Sequence, residues 1–342
     1  MRQRLTRIGA IAGLALILAG CAGGGVAALL GLISIGGAVG HLENLFTGIT
    51  GDEQADVLMD GQVIRTVDRG TNDLRLRGLP QGRHLLQIVA TDFRGIVRLI
   101  TVEADSDLQL GQLQAEDGGQ VRGSVTVRGS DGSIRAAVRV PVYAILDGAA
   151  NVAAGQPVMT IPPADTHFVA YTDGNGDYRL SALTPGDYLV TAAIGGHLAD
   201  VQLVEGLQAQ QRRRNINLEL IADPGAAAGR AAGVVSGRAS GGTVSLGGAS
   251  LRARLDAGYA PGIPQDSITR IATLHGGALR DAPWFRWTVL STLADAGGSY
   301  ELPLPPGTPR IDCFAYGYQP AFREPAITAS VTTTVDFTLE ER

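Results

Sequence analysis

Residues 172–192 read TDGNGDYRLSALTPGDYLVTA, a turn, a strand, a second turn and another strand with no helical period between them. Asp173, Gly174, Asn175 and Gly176 are residues that tolerate positive φ or hydrogen-bond their own backbone. Tyr178 and Leu180 then fall on one face of a strand and Arg179 on the other. Thr184, Pro185 and Gly186 form the second turn, after which Tyr188 and Val190 restart the alternation. The stretch is expected to be a hairpin whose apolar face needs a second sheet to cover it.

Echoes of this stretch occur on both sides. Leu79, Pro80, Gln81, Gly82 and His84 repeat the spacing of its second turn, and Leu76 stands where Leu180 does. Further on, Asp295 and Tyr300 in TLADAGGSYELPLPPG take the places of Asp173 and Tyr178. Three strand-rich blocks follow from this, at 51–118, 119–220 and 233–342. The Ala- and Gly-rich run IADPGAAAGRAA at 221–232 reads as a linker. Two excursions interrupt the pattern, Asp147–Thr166 and 257–285, the second holding a short expected helix over 265–274.

The bulk properties fit this plan. With 342 residues the chain has room for two or three domains. Its 47 glycines and 5% aromatic content suit many turns around thin cores. It contains no Lys, and its net charge of −5 argues against a nucleic-acid partner, which would require a concentrated basic surface. The one basic run in the body, Arg212–Arg214, reads as a solvated strand edge.

Arg2, Arg4 and Arg7 precede the apolar run Ile8–Ala19, the pattern of a secretory signal. That run ends in Leu18, Ala19, Gly20 and Cys21, which resembles the lipobox of bacterial lipoproteins. The resemblance implies a signal peptide over 1–20, lipidation of Cys21 and attachment to the membrane of the cell envelope. Ala22 at the next position implies the outer membrane. Residues 21–50 are apolar and Gly-rich where a polar tether would be expected, so this anchor-proximal segment is read as packing on the first block or lying against lipid.

Within the blocks, VLMDG and GLPQGRH of the first resemble the small PEGA-type surface domain, with GLPQGRH as its mid-domain hairpin. VRGSVTV, TDGNGDYRL and LTPGDYLVTA of the second occur in the order found in carboxypeptidase regulatory-like domains. The third block is a degenerate version of the same pattern. The resemblance implies an all-β chain of serial transthyretin-like (prealbumin-like) sandwiches.

Chemistry is sparse in the sequence. Asp173, Asn175 and Asp177 alternate as the first ligands of a calcium loop do, but Tyr178 and Thr184 occupy the positions that would need Gly and Glu. The five histidines are scattered without an HExxH pair, and no GxSxG elbow occurs. No enzyme activity, metal or cofactor is expected. Cys313 has no partner within the chain if Cys21 is acylated, so a buried free thiol is expected, with an intermolecular disulfide as the alternative. Trp284, Phe285, Arg286 and Trp287 concentrate aromatic surface, either as core or as a platform for a sugar ring or protein partner. The sequence thus reads as a non-catalytic envelope lipoprotein, binding protein or glycan or acting as a spacer. A structural component of a secretion or surface-layer assembly and a carbohydrate-binding protein using Trp284 and Trp287 are the alternatives.

Overall fold

A computed structural model describes residues 35–48, 54–146, 159–161, 167–264, 266–267 and 285–342. The signal run, Cys21, Trp284, and most of both excursions lie outside the described residues; of the expected helix only residues 266 and 267 are described, both helical. The protein is all-β, built of several small β-sandwich domains.

The first block contains β1 (Ile35–Glu43), β2 (Gln54–Met59), β3 (Gln62–Asp68), β4 (Asp73–Pro80), β5 (Gly82–Val89), β6 (Arg94–Val102), β7 (Asp107–Gln114) and β8 (Glu116–Asp117). Its sheets have the orders β4-β1-β7 and β3-β2-β5-β6-β8. Part of the expected tether is therefore a strand: β1 is the centre of the three-stranded sheet, antiparallel to β4 and parallel to β7. A central strand is flanked on both edges and covered on one face, which is why this segment is small and apolar, with Ala38 and Leu42 in the core.

The second block contains β9 (Gly119–Arg128), β10 (Ile134–Ala136), β11 (Pro141–Leu146), β12 (Met159–Ile161), β13 (His167–Tyr171), β14 (Asp177–Leu183), β15 (Gly186–Ala192), β16 (His197–Leu198), β17 (Asp200–Leu207), β18 (Arg212–Arg213) and β19 (Leu218–Ala222). One sheet runs β10-β9-β19-β16, with β14 and β18 also on β9, and the other runs β13-β11-β15-β17. The third contains β20 (Gly229–Ala239), β21 (Gly242–Ser245), β22 (Ser250–Tyr259), β23 (Phe285–Leu293), β24 (Ser299–Leu304), β25 (Arg310–Phe314), β26 (Ala321–Arg323), β27 (Thr332–Thr334) and β28 (Phe337–Glu340). Here β20 plays the part of β9, pairing antiparallel with β24 and β21 and parallel with β27 and β28. The expected linker shrinks accordingly, because Gly229–Ala232 already belong to β20.

Two expected hairpins are corrected. β14 pairs with β9 while β15 pairs with β11 and β17, so Thr184–Gly186 carries the chain from one sheet to the other. β4 and β5 are related in the same way across Gln81, and β24 and β25 in the third block. The apolar residues on the two arms of each arch face one another through the core, so they cover each other and do not share one face. At the arch, the Tyr188 hydroxyl donates to the Thr184 carbonyl at 2.5 Å and lies 2.9 Å from Thr184 Oγ1, clipping the crossing closed.

Nor are the sandwiches inert beads. The sheet β13-β11-β15-β17 is buried on both faces: Val142, Ala144 and Val190 pack inward with Val121 and Val125. Tyr143, Ile145, Leu189 and Val201 belong to one core with Trp287 and Leu290 of the third block. Three residues of the first excursion, β12, add a parallel strand to the third block's β23. Phe314 in turn joins the core of the first block. Each buried large aliphatic side chain contributes about 1.5–3 kcal/mol. Several at one interface are comparable with the whole stability of a small domain, about 5–15 kcal/mol, so the second and third blocks stand or fall together.

Candidate functional site

The expected aromatic platform divides. Cys21 and Trp284 lie outside the described residues, Phe285 begins β23 beside Met159 of β12, and Arg286 is exposed. Trp287 is 1% exposed within the shared core of the second and third blocks. Its indole offers no surface for a sugar ring, because the covering sheet comes from a block whose packing the local sequence does not encode.

The turn at 173–177 is a backbone device. Asp173 Oδ1 accepts the N–H groups of Asn175 at 2.8 Å and Asp177 at 3.0 Å. Asp295 repeats this toward Gly297 and Ser299 at 3.0 and 2.8 Å. Gly176 and Gly298 sit at φ +81° and +82°, and a Cβ there would lie 2.6 Å from the Val125 carbonyl oxygen and 2.4 Å from that of Val235. One residue after each turn, Tyr178 donates to the Ile216 carbonyl at 2.5 Å and Tyr300 to that of Val335 at 2.6 Å. These two phenols fasten β14 and β24 to the segments leading into the last strand of each sandwich.

Charge gathers where blocks meet. Asp60, at the β2–β3 turn, receives the Arg252 guanidinium, His84 Nδ1 at 2.8 Å and the Leu85 N–H at 2.9 Å. Burial pushes its carboxyl up, but Arg252 and His84, with the hydrogen bonds from His84 and Leu85, outweigh that and hold it well below the usual carboxylate range. Beside it Tyr171 and Ser291 hydrogen-bond at 2.9 Å. A cavity of about 430 Å³ adjoins this junction, lined by Asp60, His84, Arg252, Arg254 and Asp312.

Arg212 is not a solvated edge. With Arg122 and Arg179 it converges on Asp92 of the first block, at 2.6, 2.7 and 3.2 Å respectively. Arg122 and Arg212 also donate to Gln120 Oε1, and Arg212 lies over the Phe93 ring at 5.3 Å. Arg122 and Arg179 are direct cross-strand partners, a repulsive pairing that Asp92 neutralises. Burial raises the Asp92 carboxyl, while hydrogen bonding with Gln120 and the three guanidinium charges bring it below its ordinary value. Sequence reading missed this cluster because Asp92 lies 120 residues from Arg212.

No protein-family model matches the chain, and no curated protein matches it. Among solved structures, it is similar to a streptococcal ancillary pilin at 15% identity and TM-score 0.23, over 90% of this chain and 99% of that one. The minor pilin of Streptococcus agalactiae follows at 15% and 0.24, over 66% and 96%. A shaft pilin of Lactobacillus rhamnosus GG gives 10% and 0.23, over 66% and 98%. At these scores the likeness carries no argument about function.

Among the described residues no group of three or more His, Cys, Asp or Glu side chains could hold a metal ion, and no helix is long and apolar enough to cross a membrane. Of the alternating residues at 173–177, Asp173 acts on the backbone of its own turn. Between the outer face of the first block and the open side of the second runs a larger groove of about 1030 Å³.

Proposed function

We propose that the protein is a non-catalytic structural component of a bacterial cell-envelope assembly, exported and held to the membrane through lipidated Cys21. The observation that carries this reading is the sheet β13-β11-β15-β17, whose two buried faces weld the second and third blocks into one body. A welded body transmits force and fixes the spacing of the loops it presents, whereas a flexible string of binding modules needs mobile junctions. We read the second and third blocks as transthyretin-like, supported by the repeated Asp–Gly–Tyr turn and the matching order of pairing around β9 and β20, and the first as PEGA-like from its VLMDG and GLPQGRH. The Ala22 position favours the outer membrane.

Cross-linking in intact envelopes followed by native sizing tests the proposal. The expected result is recovery in a membrane-bound complex several times larger than the 35.5 kDa chain, lost from the membrane in Cys21→Ser. A monomer that fractionates away from membranes overturns it.

A further inference from the structure

The groove between the first and second blocks has no part in the packing described so far. Its first-block wall includes Asp56, Leu58, Val63 and Gln87, and its second-block wall includes Tyr171, Asp177, Arg179, Arg214 and Asn217. Its volume, about 1030 Å³, is at the top of the range of small-molecule sites, about 300–1,000 Å³.

The guanidinium donors along it are incompletely used. A guanidinium carries five N–H donors. Asp92 takes one from Arg179, whose side chain stays 57% exposed. Arg214 is exposed and makes no ion pair among the described residues. Acceptors alternate with these donors, since Asp177 stands two residues from Arg179 on the same face of β14. Asn217 Oδ1 is itself fixed by the Ser124 N–H at 3.0 Å. Between the polar groups lies an apolar facet, of which Val63 is 52% exposed. On the first-block wall Gln87 is 4% exposed, and its Oε1 has no hydrogen-bond partner.

This pattern selects among ligand classes. A peptide adding as a strand needs a free backbone edge. On β14 the Asp177 N–H is taken by Asp173 Oδ1 and its carbonyl by the Asp173 N–H, while the Ala182 N–H is taken by the Asp92 carbonyl. Both ends of the β14 edge are thus closed, while β3 and β13, which end their own sheets, also reach the groove, so an added strand is the rival ligand that the titration below separates. A lipid would require a more continuous apolar wall. Sugar hydroxyls both donate and accept, and a pyranose has an apolar C–H face, which matches alternating guanidinium and carboxylate groups around Leu58 and Val63.

We propose that this groove is a saccharide-binding site, with Arg179 and Arg214 donating to ring hydroxyls, Asp177 accepting from them, and Val63 packing on a sugar face. The site is complete within one chain, so it stands whether or not the protein belongs to an assembly. The test is calorimetric titration of the full chain in detergent with cellotetraose, maltotetraose, chitotetraose and mannotetraose, and with an eight-residue peptide of alternating Val and Thr. At least one tetrasaccharide is expected to bind with Kd of about 1 mM or tighter, and Arg179→Ala and Asp177→Asn each to weaken it roughly tenfold. Arg238→Ala, at an exposed pair with Glu340 in the third block, is expected to change nothing. Should Arg179→Ala fail to fold, Arg214→Ala, which removes no ion pair, takes its place. No binding by any tetrasaccharide, unchanged affinity in the groove variants, or binding of the peptide instead overturns the proposal.

Discussion

The carboxylate of Asp60 and the guanidinium of Arg252 meet at the junction of the three blocks, 192 residues apart in the chain. Both side chains are largely buried, at 17% and 22% exposure. Breaking such a pair leaves an uncompensated charge, at a cost of about 3–5 kcal/mol. Arg252→Ala is therefore expected to lower the urea midpoint sharply, and Asp60→Ala combined with it to cost less than the two single changes added. A loss below about 1 kcal/mol for Arg252→Ala would show that the pair contributes no more than a surface contact.

The pH dependence follows from the same pair and from Asp92. Both carboxyls titrate lower in the folded protein than the ordinary unfolded value of about 3.9. Their stabilisation is fully present above that value and is lost as pH falls through the folded ones. The contribution of these two carboxyls to the urea midpoint is expected to be flat from pH 6 to about 4.5 and to decline below about pH 4. The decline should be shallower in Arg252→Ala, whose Asp60 has lost the larger of its two lowering charges.

Tyr178→Phe and Tyr300→Phe each remove one phenol and leave the Ile216 or Val335 carbonyl without its donor. A loss of about 1–3 kcal/mol is expected for each, read as a fall in Tm. Because the two bonds repeat one design, a large effect in one block and none in the other would mean that the two sandwiches are not fastened alike.

Cys313 is completely buried, and burial pushes its thiol far up. Labelling by a thiol reagent at pH 8 is expected to be slow in the native protein and to follow global unfolding in urea. Fast labelling at zero denaturant would place the thiol at a surface that opens locally.

Trp287→Ala is expected to cost about 3–5 kcal/mol and to expose the second and third blocks to protease together. Selective digestion of one with survival of the other would contradict a shared core.

What was legible in the sequence was local. Asp173 bonds the backbone of its own turn within four residues, and its copy Asp295 reproduced the same bonds, whereas the Tyr178 and Tyr300 hydroxyls reach carbonyls 38 and 35 residues away. Whether Thr184–Gly186 folds back within a sheet or crosses between sheets could not be read, because the same turn residues serve both and the partner strand decides. The Asp92 cluster was hidden for a related reason: Arg122, Arg179 and Arg212 look like solvated charges until the fold brings a carboxylate from another block among them. Trp287 was ambiguous because an aromatic-rich strand end suits a core and a platform equally, and the sheet that buries it belongs to a different block.

The strand lent by the first excursion to β23, together with the sheet covered on both faces, has an evolutionary consequence. Modules that keep their own solvent-facing surfaces can be shuffled, duplicated or lost one at a time. Here the middle sandwich has given up one of its faces to its neighbour, so recombination that deleted it would expose the matching apolar surface of the third block. Substitutions are expected to be tolerated at the loops and the groove and penalised along the sheet that the second and third sandwiches share.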